Sequence, residues 1–460
     1  MCPLDVLAIQ WWLLFEMRFL LNVLGTFGTE LLIALLSFCT GVVTARLLGP
    51  KDQGILSLAI AVPTTLTFIS NLGLAQANIY FIGRKRGSLV DITANSFVVA
   101  LSVGLVTIIV IYLLQGHVLK TVLKGLDSAS LMLVSCVVPL MLVDGYLLSI
   151  LEGLSQFGLF NLRRLLTPLL LFLGMLLSLC VMGAGLSGAT LTYVVIIGAT
   201  TIGFILVLRR TIPLRCGFNG TLLQDSLSYG VKSYFQSLLM HLLYQMDLYL
   251  VAFFLAPDQV AYYAIAISLT RIMWYIPNSV GTVIFPRLSS LEETEAHRFT
   301  GSVCRQTLCI TALVALALSM ASGVLVPFFY GDRYAPAIEP FLILLPGAVF
   351  ITTYKVVVRN FLSRNKLSFP IITAAAGVVL NVGLNLLLIP RYGIVGAAIS
   401  STVAYSVSAV ALLGAFLRDS GASLYETVFV QRGDLAMYVN LLHRLWLSLR
   451  AWRRGSLPSP

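Results

Sequence analysis

Twelve apolar stretches follow one another along the chain, at about 19–47, 55–82, 92–115, 129–151, 158–182, 188–208, 229–255, 261–286, 303–329, 338–362, 368–390 and 394–417, with short polar connections between them. Each is close to or above the roughly 20 residues that an α-helix needs to cross the hydrocarbon core of a bilayer. Lipid offers no partner to a backbone N–H or C=O, so a segment of that length satisfies itself as a helix. The pattern predicts an all-α polytopic membrane protein. Composition agrees: 58% of the 460 residues are hydrophobic, 11% are charged and the mean hydropathy is +0.94, outside the range of soluble domains.

A formal net charge of +11 raises the question of nucleic acid. The basic residues sit in the connections between apolar runs, where membrane topology accounts for them, so no nucleic-acid site is read. With the N-terminus inside, fifteen Lys and Arg fall on the cytoplasmic side and six outside, which predicts both termini in the cytoplasm. The seven cysteines are odd in number and include no CxxC, so neither a disulfide framework nor a metal site is implied. Residues 1–17 form an apolar lead-in that lacks the basic start and cleavage site of a signal peptide. After the last stretch, Leu435, Tyr438, Leu442, Trp446 and Leu449 share one helical face, with His443, Arg450 and Arg454 on a flank. That pattern reads as a basic amphipathic helix lying on the cytoplasmic leaflet.

The two halves of the chain echo each other. Leu48, Pro50 and Ala59 recur 207 positions later as Leu255, Pro257 and Ala266, and Gly185, Gly188 and Ala189 recur at an offset of 208 as Gly393, Gly396 and Ala397. A shared offset near both ends of the halves predicts a duplicated unit of six spans, and an even number inserts both copies in the same sense. The expected organisation is a lead-in at 1–17, an N-lobe at 18–210, a cytoplasmic linker at 211–228, a C-lobe at 229–417 and a cytoplasmic tail at 418–460. The lobes would be six-helix bundles related by a pseudo-twofold axis around a central cavity.

Several spans carry polar lines. In the eighth, Ser268, Arg271, Tyr275, Asn278 and Thr282 recur at steps of three and four, which places them on one face. An arginine at bilayer depth costs roughly 2.5 to 3.5 kcal/mol on insertion scales, so it faces protein or a wet cavity. The tenth span carries Thr352, Lys355, Arg359 and Ser363, and the first carries Asn22, Thr26, Glu30, Ser37, Thr40 and Thr44 before Arg46. Among acids at depth, Glu30 and Asp247 are best placed near a cavity, with Asp144 a weaker third. They are either structural ion-pair partners or sites for a coupling H⁺ or Na⁺. His241, among Ser233, Ser237 and Tyr244, reads as a hydrogen-bonded packing residue. Pro63, Pro139, Pro168, Pro277 and Pro346 fall inside spans and predict kinks there.

The stretches ARLLGPKDQG (45–54), NLGLAQANIYFIG (71–83), YQMDLYLVAFFLAP around Asp247, the Tyr263–Ala266 pattern, FYGDRYAPA (329–337) and NVGLNLLLIPRYGIVGAAIS (381–400) resemble polysaccharide export proteins. The resemblance is to the Wzx-type lipid-linked oligosaccharide flippases of the multidrug/oligosaccharidyl-lipid/polysaccharide exporter superfamily, and it covers roughly residues 18–417. It implies two six-helix bundles forming a V that opens alternately to either side. It also implies a substrate, an oligosaccharide joined through pyrophosphate to a polyprenyl lipid and moved to the outer leaflet of a prokaryotic cytoplasmic membrane. A polysaccharide polymerase and export machinery are the expected partners alongside membrane lipids, with no cofactor beyond a coupling ion gradient. Pyrophosphate cannot cross a low dielectric unpaired. Arg271, Lys355 and Arg359 are therefore the headgroup candidates, flanked by Tyr275 and Asn278, with Arg46 at the outer mouth; Arg359 reads equally as a positive-inside anchor. Two rivals remain: a cation-coupled multidrug exporter, whose cavity should be acidic, and a membrane glycosyltransferase or polymerase, for which no catalytic cluster is found.

Overall fold

The computed structural model describes residues 3–210 and 217–431, without the side chains of residues 3–24, Ser233, Thr282, Val283, Pro286 and Ser289. Part of the expected linker and the amphipathic segment 435–454 therefore lie outside the described residues, as do the side chains of Asn22 and Thr282. The described chain consists of helices and turns. Span 1 covers residues 3–48, and span 2 covers 50–70 and continues as Leu74–Gly83. Span 3 is Leu89–Thr121, and span 4 is Ser128–Ser135 with Val137–Gly153. Span 5 is Phe157–Met175 with the π-turn Leu176–Val181, and span 6 is Gly185–Leu208. Span 7 is Gly220–Phe254, span 8 is Pro257–Ile272 with Tyr275–Ser290, and span 9 is Glu293–Tyr330. Span 10 is Ile338–Ser363, span 11 covers 368–392 and span 12 covers 394–420, followed by a short helix at Leu424–Val428. Among the described residues nine stretches are long and apolar enough to cross a membrane. Two of them are helix pairs joined at Gly49 and Gly393, and span 8 joins the set as a broken helix, which brings the described spans to twelve.

Local chemistry sets the joints, and the joints repeat. Gly49 turns at φ 77° and Pro50 starts the next helix, where its missing N–H costs nothing. Its counterpart Ala256 is extended before Pro257, again the first residue of a helix. Gly185 and Gly393, 208 apart, adopt φ 58° and 60°, left-handed values that glycine reaches without strain. Span 8 begins at Pro257, ahead of the expected Ala261, and breaks at Met273–Trp274, where the kink expected from Pro277 falls. Pro277 explains the break, since it has no N–H to give the carbonyl of Met273 one turn earlier. Span 2 breaks at Leu72 and Gly73, both with positive φ. Carbonyls loosened there are taken up by tyrosines, Tyr146 donating to Asn71 O at 2.9 Å and Tyr234 to Phe68 O at 2.8 Å.

An even number of spans puts both ends of the bundle on one side, here called the terminal face, with the far face opposite. The N-lobe core divides into a cluster around Leu74, Val138 and Leu147 and another around Leu56, Val137 and Tyr193. The C-lobe core is continuous and runs into the N-lobe through Ala45, Ile55, Leu58 and Ala59, which fuses the lobes towards the far face. There Tyr334 donates to Ala45 O at 2.8 Å, Lys124 to Phe253 O at 2.6 Å and Arg46 to the carbonyls of Phe328 and Phe329. Span 2 meets span 8 backbone to backbone at Gly54, where a Cβ would lie 1.8 Å from Pro257 O. Towards the terminal face Gly73 meets Gly230 in the same way, and the start of span 7 packs on the N-lobe through Leu222 and the Tyr80–Tyr229 stack.

Beyond the apolar stretches, the terminal face of the C-lobe is clasped by charge. Arg364 donates to Glu293 at 2.7 Å and Asp419 at 3.3 Å, and Lys366 to the same acids at 3.2 and 2.7 Å. Hydrogen bonds from Lys366 and Arg364 hold the Glu293 carboxyl below its usual range, and the Lys366 bond and charge, outweighing burial, do the same for Asp419. A carboxyl with a lowered folded pKa stabilises the fold above its unfolded pKa of about 4 and loses that contribution as pH falls through the folded value. The melting temperature of purified protein is expected to drop below about pH 4, with a smaller drop in Asp419→Asn. A second expectation concerns the glycine contact: Gly54→Val forces the lobes apart at the far face and costs about 1–3 kcal/mol, read as lower thermal stability and folded yield.

Candidate functional site

Between the lobes, in the half of the bundle nearer the terminal face, lies a cavity of about 290 Å³. Span 2 contributes Phe68, span 7 contributes Gln236, Ser237, Met240, His241 and Tyr244, span 8 contributes Asn278, and span 10 contributes Tyr354, Lys355, Val358, Arg359 and Leu362. Lys355 and Arg359 lie about 12 and 6 Å of helix rise from Ser363, the end of span 10. Among the described residues no Asp or Glu lines this cavity.

Its cations are held by dipoles and ring faces. The Lys355 ammonium donates to Asn278 Oδ1 at 3.1 Å and stands 4.9 Å over the Trp274 ring and 5.2 Å over that of Tyr244. Such contacts orient a cation and leave its charge uncancelled. Arg271 reaches the same aromatic group from behind: Nη2 donates to Tyr244 O and Gln245 Oε1, both at 3.0 Å, and Nε is buried without a hydrogen-bond partner. Arg359 leans on Gly281, where a Cβ would come 3.0 Å from its Nε. His241 stacks on Phe68 with ring centroids 3.9 Å apart and lies 3.4 Å from Thr65 Oγ1, so it joins span 7 to span 2 across the lobes.

The acids at depth are elsewhere. Glu30 pairs with Arg164 at 2.6 Å, and Asp144 with buried Arg163 at 2.8 Å, both inside the N-lobe. Asp247 is 1% exposed and lies inside the C-lobe, accepting from Asn385 at 2.9 Å, Tyr263 at 3.2 Å and Ser401. None of the three forms an ion pair with Arg271, Lys355 or Arg359. Among the described residues Glu293, His297 and Asp419 are the three metal-competent side chains brought together, and Arg364 and Lys366 already occupy both carboxylates.

Of the residues expected from sequence, Lys355, Arg359 and Asn278 share the cavity. Arg271 stands behind its Tyr244 wall, and Tyr275 follows the break in span 8 outside the lining. Arg46 lies at the far face, where it caps the last carbonyls of span 9. Sequence reading missed Tyr244 and Trp274 as a cation cradle, because aromatic residues are unremarkable in a membrane span. It also missed Asn385 and Ser401 around Asp247, although Asn381 and Asn385, one helical turn apart in an apolar run, were the available signal.

The site is thus a cleft between two six-span lobes with Lys355 and Arg359 in its lining. Residues 19–292, more than half of the chain, match the family model for polysaccharide biosynthesis proteins, and the chain belongs to that family. It is 22% identical over 404 residues to a putative O-antigen transporter of Shigella flexneri, covering 83% of this chain and 93% of that one. It is 26% identical over 171 residues to a probable low-salt glycan biosynthesis flippase of Haloferax volcanii, 36% of each chain. Among solved structures the fold matches the lipid II flippase MurJ in an inward closed conformation, with a TM-score of 0.67 and 17% identity over 95% of this chain and 99% of that one. It also matches an inward-facing multidrug resistance MATE transporter, with a TM-score of 0.71 and 16% identity over 85% and 95%.

Substitution at Asp247 tests how the C-lobe cluster is built. Asp247→Leu strands the donors of Ser401, Tyr263 and Asn385, each at about 1–3 kcal/mol, whereas Asp247→Asn keeps shape and hydrogen-bonding capacity. The leucine variant is expected to lose most of its folded yield and the asparagine variant to melt within a few degrees of wild type.

Proposed function

We propose that this chain is a flippase for a lipid-linked oligosaccharide: it carries the anionic pyrophosphate and sugars across the membrane while the polyprenyl tail stays in lipid. One observation carries the reading, a cavity between the lobes whose charged lining among the described residues is Lys355 and Arg359. Lys355 and Arg359 would take the pyrophosphate oxygens and Asn278 and Tyr354 the neighbouring hydroxyls. Arg271 would add positive potential through the Tyr244 wall, and Arg46 would act when the far face opens and releases it. The space described is small for several sugars, so loading would part the lobes further. The terminal face is taken as cytoplasmic, in a prokaryotic cytoplasmic membrane, with a polysaccharide polymerase and export machinery downstream.

Lobe motion would be coupled to H⁺ or Na⁺ at Asp247. That acid is one turn from Tyr244 on span 7, and its partner Ser401 is one turn from Tyr405, whose ring lies 5.6 Å from Tyr244 and 6.2 Å from Trp274. A cation at Asp247 would shift the aromatic group that cradles Lys355.

The rival multidrug reading shares the fold, but a pocket that binds organic cations needs acid where this one has Lys355 and Arg359. The enzyme reading stands against the family match and against relatives described as a transporter and a flippase.

In proteoliposomes, Lys355→Gln and Arg359→Gln are each expected to slow translocation of a polyprenyl-pyrophosphate oligosaccharide by about tenfold or more, the worth of one charge-assisted hydrogen bond. Lys355→Arg should retain part of the rate. Asp247→Asn should leave substrate binding in place and abolish any dependence of the rate on the ion gradient. Cells lacking the gene should accumulate the lipid-linked intermediate on the cytoplasmic leaflet; tight binding of cationic dyes with unchanged glycolipid transport in Lys355→Gln would favour the multidrug reading.

A further inference from the structure

A second concave surface lies on the outside of the C-lobe. At the terminal face spans 11 and 12 part to leave a groove of about 690 Å³. Phe369 and Ile372 form one wall, Ala411, Gly414 and Ala415 the floor, and Arg418 and Asp419 the end. The groove faces the bilayer: Ile372 is 65% exposed, and the same two helices continue deeper with exposed Val379, Val403, Val407 and Val410. It is apolar along its length because Thr373, its hydroxyl-bearing lining residue, donates back to the carbonyls of Phe369 and Pro370.

Charge at the groove's end is unbalanced. Asp419 is already taken by Lys366 and Arg364, which also hold Glu293. Arg418 is exposed, in the last turn of span 12, and makes no hydrogen bond or ion pair with a described residue. Its depth is where apolar helix gives way to the polar run Arg418–Asp419–Ser420, the level of lipid headgroups. A guanidinium there binds phosphate, and a floor of small residues accepts a linear chain.

We propose that this groove binds an anionic phospholipid of the terminal-face leaflet, with one acyl chain along Phe369, Ile372 and Gly414 and the phosphate on Arg418. The site is distinct from the cavity between the lobes and does not depend on what that cavity carries. Occupancy would brace spans 11 and 12, the pair that supplies Asn385 and Ser401 to Asp247.

Gly414 makes the tail half testable without damage to the fold. A Cβ built there meets no atom within 4 Å, so Gly414→Leu fills the groove without a clash and exchanges a helix-weakening residue for a helix former. Full-length protein, delipidated in detergent, would be titrated with phosphatidylglycerol and phosphatidylcholine and bound lipid counted by native mass spectrometry. Wild type should retain phosphatidylglycerol about tenfold better than phosphatidylcholine, Arg418→Gln should erase that preference, and Gly414→Leu should reduce retention of both by about tenfold. Ala411→Leu fills the same floor from the neighbouring turn and should repeat the Gly414→Leu result. The proposal is overturned if the filled variants hold phosphatidylglycerol as wild type does, if wild type holds both lipids equally, or if polyprenyl phosphate displaces phosphatidylglycerol from wild type and Gly414→Leu alike.

Discussion

The described cleft is arranged around positive charge held at membrane depth, with no acid among its described lining residues. A lysine in a low-dielectric interior is stabilised most simply by a carboxylate, but a buried ion pair cancels the field that a passing anion would feel. Lys355 is held by an amide oxygen and two ring faces, which fix its position and leave its charge outward. Arg271 is likewise held by a carbonyl and an amide. The acids that would have neutralised them are committed within their own lobes: Glu30 to Arg164, Asp144 to Arg163, and Asp247 to hydroxyls and an amide. Keeping acid from base is what the proposed anion path requires of the cleft.

That separation works only if the lobes can approach and part, and their contacts are of a kind that allows it. Gly54 against Pro257 and Gly73 against Gly230 bring the lobes together backbone to backbone. The bonds that close the far face run from side chains to carbonyls: Tyr334 to Ala45, Lys124 to Phe253 and Arg46 to the end of span 9. Carbonyls at helix ends are satisfied equally well by water, so parting the far face exchanges partners instead of stranding them. Arg46, read from sequence as a mouth residue, serves in this conformation as a closing bolt.

The fold was largely legible in the sequence because lipid leaves so few choices. Span count and the repeat follow from hydropathy and from glycines and prolines at a fixed offset, and Gly185 and Gly393 carry that offset into matching backbone angles. Span 8 reads as one helix kinked at Pro277, and the break one turn before that proline is the expected kink carried further. The candidate site was legible only in part. Periodicity placed Lys355, Arg359 and Asn278 on inward faces, but whether an acid met them depended on how helices distant in sequence rotate about their axes. No spacing within span 1 shows that Glu30 will find Arg164, nor within span 7 that Asp247 will turn away from the cleft towards Asn385.

The rotation of span 7 has a consequence for how its two polar stations communicate. Tyr244 and Asp247 are three residues apart, close enough to share a helix face and far enough for one to border the cleft while the other enters the C-lobe interior. Span 12 repeats the relation with Ser401 on Asp247 and Tyr405 against Tyr244 and Trp274. Spans 7 and 12 thus each carry one residue of both stations, Asp247 with Tyr244 and Ser401 with Tyr405. Packed interiors respond to a change in hydrogen bonding by switching arrangement more readily than by yielding smoothly. Under the proposed coupling, charge at Asp247 and grip at Lys355 would both bias the position of span 7, which is the physical minimum a coupled carrier requires.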